Sequence, residues 1–347
     1  MVKKITAVII ALILSINLSA CSSQEKTRYE AEFLMLFDTI TQIVGYSESK
    51  EEFADQVQMI HDNLEEYHQL YDIYNGYDGI NNMKTINDQA GIAPVEVDRR
   101  IIDMLLFSKE AYEMSDGKIN VAFGAVLKIW HDYRDEGIEN PEKAELPPVE
   151  MLMEAAKHTD ISQLIIDEES ATVFLADSGM SLDVGAIAKG YAVEEISKMA
   201  LDNGLTSALI SVGGNVRSIG VKADSGARWT VGIKNPLDVD GKNISRVELE
   251  DASLVTSGIY ERYYTVNGRR YHHIIDPVTL FPAEYFASVS ILCPDSGLAD
   301  ALSTSVFTMP FEQGLALIES LPDTEAVWVF HDGEIRYSSN YNEYTND

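Results

Sequence analysis

The chain has 347 residues, 46% of them hydrophobic, which suffices for one large domain with a real core or for two smaller ones. Its 56 acidic against 26 basic side chains give a formal net charge of −30, a surface that repels nucleic-acid phosphates and argues against DNA or RNA as a partner. Two cysteines are too few for a disulfide framework.

Lys3 and Lys4 precede an apolar run over 5–16, roughly a dozen residues and short of the ~20 that a spanning helix needs. Leu18-Ser19-Ala20-Cys21 follows, so 1–20 reads as an export signal. Its ending resembles a bacterial lipobox, in which the cysteine is acylated. Cys21 then anchors the chain to the extracytoplasmic face of the cell membrane, and the polar stretch 21–32 is a tether. A plain secretory peptide with a chance cysteine is the other reading. With Cys21 lipidated, Cys293 has no partner and reads as a small buried hydrophobe at the end of an apolar run.

Residues 33–46 are rich in β-branched and aromatic side chains and predict a strand or a bent pair. Helical spacing of Phe53, Val57, Ile60 and Leu64 predicts a helix over 51–70, and 71–91 reads as loop. A helix over 98–114 stops at Ser115-Asp116-Gly117. The acidic stretch 130–148, ending in Pro147-Pro148, reads as a surface excursion or subdomain joint inside one domain over 33–340. A helix over 149–158 and strands over 163–166 and 171–175 follow. A helix over 186–203 ends at Gly204. Strands are predicted over 206–212, 216–221, 229–234 and 287–292, with a type I′ hairpin at Asn267-Gly268. Helices over 295–308 and 311–320 and a closing hairpin over 326–337 complete the chain. Strands and helices mix without a βαβ rhythm, so the fold class is α+β, with mixed or antiparallel sheets and packed helices.

Four stretches carry chemistry. Asp183-Val184-Gly185-Ala186-Ile187-Ala188-Lys189-Gly190 opens a helix with small residues; free N–H groups and Lys189 suit a diphosphate. An N-cap aspartate with an exposed lysine fits the same residues. Gly213-Gly214 follows an apolar strand and alone is a tight turn. His273 and Asp276 are close enough to be base and orienter, or to hold a loop. Asp300 and Thr304 stand at i and i+4 on one helix face, a hard oxygen pair of the kind magnesium takes, or a helix aspartate with a back-bonded threonine.

Taken together and in order, Asp183-x-Gly-x-x-x-Lys189-Gly-Tyr, Gly213-Gly214, Thr256-Ser257-Gly258, His273-Ile-Ile-Asp276-Pro277 and Asp300-Ala-Leu-Ser-Thr304 resemble the ApbE family, the FAD:protein FMN transferases. The resemblance runs over about 33–308. It implies an α+β, T-fold-like architecture, FAD as substrate and Mg2+ as cofactor. It implies FAD contacts at Phe37, Tyr77, Lys118, Ile119, Asn120, Asp183, Lys189, His273 and Ile274. Metal contacts fall on the Ala186 carbonyl, Asp300, Ser303 and Thr304. The sequence departs from the family in places. Phe37-Asp38-Thr39 stands where Met-Gly-Thr is usual, Gly117-Lys118-Ile119-Asn120 where Gly-Ala-Phe-Asp is usual, and Thr279-Leu280 where Thr-Gly is usual. Ser303 stands where some relatives carry a second acidic ligand. Tyr74 and Tyr77 both match the family's tyrosine, and counting back from Asn87 favours Tyr77.

The implied reaction is transfer of FMN from FAD to a Thr or Ser hydroxyl of an acceptor protein, with AMP leaving and His273 or Asp276 taking the proton. Hydrolysis of FAD to free FMN and AMP uses the same site with water as acceptor. A flavin-binding lipoprotein without catalysis is a third reading.

Overall fold

The computed structural model describes residues 26–238 and 242–345. The export signal and Cys21 lie outside the described residues. β1 (Thr27–Leu34) begins inside the stretch read as tether and pairs antiparallel with β2 (Ile40–Ser47), so 33–46 is the bent pair. Their turn is strained: Met35, Phe37 and Asp38 take φ of 84°, 52° and 54°, a region that favours glycine.

α1 (Lys50–Tyr71) starts on Ser49, whose side chain accepts the Glu52 N–H, and buries Phe53, Ile60 and Leu64 along one stripe. α2 (Met83–Asp88) lies within the predicted loop, made possible by a capping box between Asn82 and Thr85. β3 (Val95–Glu96) and α3 (Arg99–Met114) follow. α4 (Gly124–Glu139) corrects the reading of 130–148: the acidic residues are the outer face of a helix whose inner face buries Val126 and Trp130. Trp130 donates its ring N–H to the Leu280 carbonyl at 2.9 Å. The stretch becomes irregular only near Pro141. α5 (Val149–Ala155), β4 (Leu164–Asp167) and β5 (Thr172–Leu175) come next, with β3, β5 and β4 forming a small antiparallel sheet.

α6 (Ala188–Asp202) is followed by β6 (Ala208–Val212), β7 (Asn215–Ile219), β8 (Trp229–Lys234), β9 (Asn243–Leu249) and β10 (Ser253–Gly258). β9 has no counterpart among the sequence expectations, because its burial pattern does not alternate cleanly. β11 (Tyr263–Val266) and β12 (Arg269–His272) form the predicted hairpin, with Asn267 and Gly268 both at positive φ. β13 (Ser288–Cys293), α7 (Ser296–Phe307), α8 (Phe311–Glu319), β14 (Glu325–Val329) and β15 (Ile335–Tyr337) end the fold. Cys293 is buried and free, as expected, and burial pushes its thiol up to about 11.

One antiparallel sheet, in the order β1-β2-β6-β7-β10-β13-β14-β15, carries the architecture, and the α+β expectation holds. α1, α6 and α7 pack on one face, against β2, β7, β10 and β13. The β8–β9 ribbon covers the other face, where Trp229, Ile233 and Val247 meet Val216, Leu254 and Leu292. β13 is therefore buried along its whole length and reads as a continuous apolar and small-residue run.

α6 and α7 touch at their N-terminal turns, where a Cβ on Gly190 would stand 2.3 Å from the Ser296 carbonyl oxygen and 2.4 Å from the Asp300 Cβ. Gly190→Ala should cost about 3 kcal/mol by overpacking, although alanine is the better helix former. Gly204→Ala, with nothing near its Cβ and only a φ of +92° to strain, should cost about 1 kcal/mol. Urea unfolding of the two variants checks this; equal losses would mean that the helix contact is not closely packed.

Candidate active site

The segment 181–190 is held from three sides before it enters α6. The Asn87 amide clamps Leu182 in both directions, donating to its carbonyl at 3.0 Å and accepting its N–H at 2.7 Å. The Asp183 N–H donates to the Val121 carbonyl at 2.8 Å. Asp183 Oδ1 accepts the Gly185 N–H at 2.9 Å, an Asx turn that starts the bend toward the helix.

The helix then opens irregularly. In a regular continuation the Gly190 N–H would bond to the Ala186 carbonyl. It donates instead to Asp300 Oδ2 at 2.8 Å. Among the described residues no backbone N–H donates to the Ala186 carbonyl, which explains why α6 starts at Ala188 rather than at Ala186. Asp300 is buried, and burial pushes its carboxyl pKa up. The Lys189 charge and the Gly190 N–H oppose that rise, and the Asn215 amide approaches the carboxylate from β7. One turn on, Ser303 Oγ donates to the Asp300 carbonyl at 2.9 Å and lies 2.8 Å from Ser257 Oγ, which is 3.4 Å from Thr304 Oγ1. A carbonyl without a backbone donor, a buried carboxylate with few donors and a set of hydroxyls are oxygen donors of the kind that a hard divalent cation takes. Ser303 and Thr304 on α7, one turn after Asp300, meet Ser257 from β10.

His273 stands beyond β12. Its N–H and its Nδ1 both lie 3.1 Å from the Arg262 carbonyl oxygen. That oxygen can only accept, so Nδ1 carries the hydrogen and Nε2 keeps a lone pair. Burial pushes the imidazole pKa down to about 3, with the Arg262, His272 and Lys189 charges adding to the fall and the Arg262 carbonyl opposing it. Ile274 is buried beside it. Asp276, read as an alternative base, is committed elsewhere: Oδ1 pairs with Lys118 Nζ at 3.0 Å and accepts the Val278 N–H at 3.0 Å. The geometry makes it a residue that positions the His273 loop. The same pair ties down the Lys118 side chain, while Ile119 is buried. The Asn120 amide is spent on the Thr159 carbonyl and the Ala122 N–H. Any contact of 118–120 with a ligand is left to the backbone.

The two candidate tyrosines have different partners. Tyr77 donates its hydroxyl to Asp72 Oδ2 at 2.8 Å, so it braces its own loop. Tyr74 Oη lies 2.9 Å from His131 Nδ1, and His131 Nε2 lies 3.9 Å from Asp183 Oδ2. Tyr74 is therefore the tyrosine on the Asp183 side. His131 went unnoticed in the sequence because the helix that carries it was read as an excursion. Phe37 packs edge-on to His68 at 5.6 Å, and its N–H donates to His68 Nδ1 at 3.3 Å. Thr39 sits against Gly213, where a Cβ would come within 2.6 Å of its hydroxyl, so this strained turn abuts the β6–β7 turn that leads to Asn215.

The ApbE family model matches residues 37–328 of this chain. The chain is 38% identical over 270 residues to the FAD:protein FMN transferase of Treponema pallidum, covering 74% of this chain and 73% of that protein. It is 33% identical over 255 residues to an FAD:protein FMN transferase of Klebsiella pneumoniae, covering 73% and 76%. Among solved structures, the ApbE protein of Thermotoga maritima superposes with a TM-score of 0.81 at 29% identity, over 92% of this chain and all (100%) of that one. The Vibrio cholerae flavin transferase ApbE shares the fold, with a TM-score of 0.74 at 22% identity over 92% and 100%.

The site makes a prediction about charge. In the flavin-free chain the His273 ring proton should show no titration between about pH 7.5 and 5 by NMR. The unfolded chain takes this proton near the ordinary value of about 6.5, whereas the native one takes it near 3, so the native state loses stability as pH falls through that window. An inflection near the ordinary value would show that the ring is not desolvated.

Proposed function

The chain belongs to the ApbE family, and from that premise we propose that it transfers the FMN half of FAD to a Thr or Ser hydroxyl of an acceptor protein, with AMP as leaving group and magnesium as cofactor. The observation that carries the metal part of this reading is the Ala186 carbonyl, left without an N–H donor beside the buried Asp300. Ala186, Asp300 and Thr304 would hold the ion, with Ser303 and Ser257 lining it. Bound there, a magnesium ion would draw charge from phosphoryl oxygens.

The chain's own residues supply the rest. Lys189, whose charge already acts on Asp300 and His273, offsets diphosphate charge. The open first turn of α6 offers a partial positive charge. The acceptor hydroxyl oxygen bonds to the FMN-side phosphorus while the bond from that phosphorus to the bridging oxygen breaks, and AMP leaves with that oxygen. The hydroxyl proton goes to His273 Nε2. In the free site this imidazole is a weak base; a diphosphate beside it favours the imidazolium and raises its pKa toward the useful range. Asp183, fixed by Gly185 and facing His131, holds the dinucleotide.

The reading extends to location. Acyl chains on Cys21 would tether the domain to the extracytoplasmic face of the cell membrane, a few residues before β1 begins at Thr27. No helix of the described residues is long and apolar enough to cross a membrane.

Incubation with FAD, magnesium and an acceptor that carries an exposed threonine tests the reading by intact mass and by released nucleotide. The acceptor should gain one FMN, AMP should appear in equal amount, and Asp300→Ala should lose at least about a hundredfold in rate. Magnesium should raise the melting temperature of the parent and not of Asp300→Ala. Near neutral pH an ionised Asp300 is costly to bury, and the ion offsets that cost, so the rise should shrink as pH falls and a proton takes its place. Transfer at the parental rate by Asp300→Ala would remove Asp300 from the metal site. Free FMN with an unmodified acceptor would turn the reading to hydrolysis.

A further inference from the structure

Arg262 lies in Tyr260-Glu261-Arg262, between β10 and β11, and its carbonyl oxygen is what holds His273. Its side chain is exposed. Most arginines of this acidic chain are committed to carboxylates: Arg99 to Asp103 and Glu168, Arg100 to Asp98, Arg217 to Glu194, Arg336 to Glu334. Among the described residues no carboxylate forms an ion pair with Arg262. Its charge nevertheless acts on three groups from three different parts of the fold: Tyr74 in the loop after α1, His131 on α4 and His273 after β12. Lys189, at the start of α6, acts on His273 as well.

The charges of two cations from different elements thus act on His273, and neither cation has an ion-pair partner among the described residues. One of them, Lys189, also acts on Asp300. The other, Arg262, also acts on Tyr74 and His131. In a chain of net charge −30, an exposed arginine without an ion-pair partner among the described residues, next to the candidate base, is free to meet an anion that arrives from outside. Arginine also presents a planar set of donors that matches phosphate oxygens in pairs.

We infer that Arg262, whose backbone carbonyl holds His273 and whose guanidinium has no ion-pair partner among the described residues, is a substrate-contacting residue that binds the diphosphate of FAD. This rests on the flavin-transfer reading above and adds a residue to it. The guanidinium neutralises one phosphate, and the Arg262 carbonyl keeps Nε2 of His273 turned to the reacting phosphorus. One residue therefore links the grip on the substrate to the orientation of the base. A side-chain substitution removes the first role and keeps the second.

The test compares the parent chain with Arg262→Gln and Arg262→Lys for binding of FAD and of riboflavin, which has the ring system and no phosphate. Fluorescence titration in the presence of magnesium is run at low and high salt. Arg262→Gln should weaken FAD binding about tenfold or more, Arg262→Lys should recover part of the loss, and riboflavin binding should change less than about twofold. Added salt should weaken FAD binding to the parent more than to Arg262→Gln, since a screened charge contact is what the variant lacks. FAD binding by Arg262→Gln within about twofold of the parent would overturn the inference, as would an equal weakening of FAD and riboflavin. Failure of the parent itself to bind FAD would instead count against the flavin reading.

Discussion

Two helix N-termini that cap each other organise this protein. Asp300 on α7 accepts the Gly190 N–H in the first turn of α6, and Glu194 on α6 accepts the Ser296 N–H at the start of α7. Each carboxylate meets the positive end of the other helix and satisfies a donor that the helix itself cannot pair. Glu194 is anchored in turn by Arg217 on β7 at 3.0 Å, so the exchange is pinned to the central sheet. Gly190 and Gly297 leave out the side chains that would hold the turns apart. The Ala186 carbonyl is free because Asp300 takes its usual partner. One packing contact thus both closes the core and leaves that oxygen without a backbone donor.

The electrostatics of the site run against those of the molecule. The chain is strongly acidic, yet the charges of Lys189 and Arg262 both act on His273. At physiological ionic strength the screening length is about 8 Å, so surface carboxylates beyond that distance contribute little to the local potential. Within the site, burial sets the protonation states. It lowers the pKa of His273 and raises that of Asp300. Lys118 and Asp276 neutralise each other and act as a strut for the loop.

Strain is concentrated at the turn between β1 and β2. Met35, Phe37 and Asp38 hold left-handed backbone without being glycine, and Thr39 presses on Gly213. Such conformations persist only where the surroundings fix them, and here the His68 ring, the β6–β7 turn and two paired strands do so. An Asp at a position that suits glycine is tolerated because its short polar side chain is among those that adopt positive φ most readily.

Local pattern in the sequence was sufficient for most elements. Helical spacing located α1 and α3 within a residue or two, and Asn267-Gly268 set the β11–β12 turn, since these depend on side chains close in sequence. The motif order was also sufficient to name the family and to bring Asp183, Lys189, His273, Asp300 and Thr304 into one list. Local pattern missed α4, whose exposed acidic face dominates its composition while one Trp130 ring anchors it across the fold. Only the tertiary structure decided which groups are free to act. Asp276 and Tyr77 are held by Lys118 and Asp72, whereas Tyr74 bonds His131, which reaches Asp183. Partners far apart in the chain consume or release a polar group, and no spacing rule records them. The residue types were legible in the sequence; their hydrogen-bond partners, which decide their chemistry, were set by the packing of α6, α7 and the β10–β12 segment.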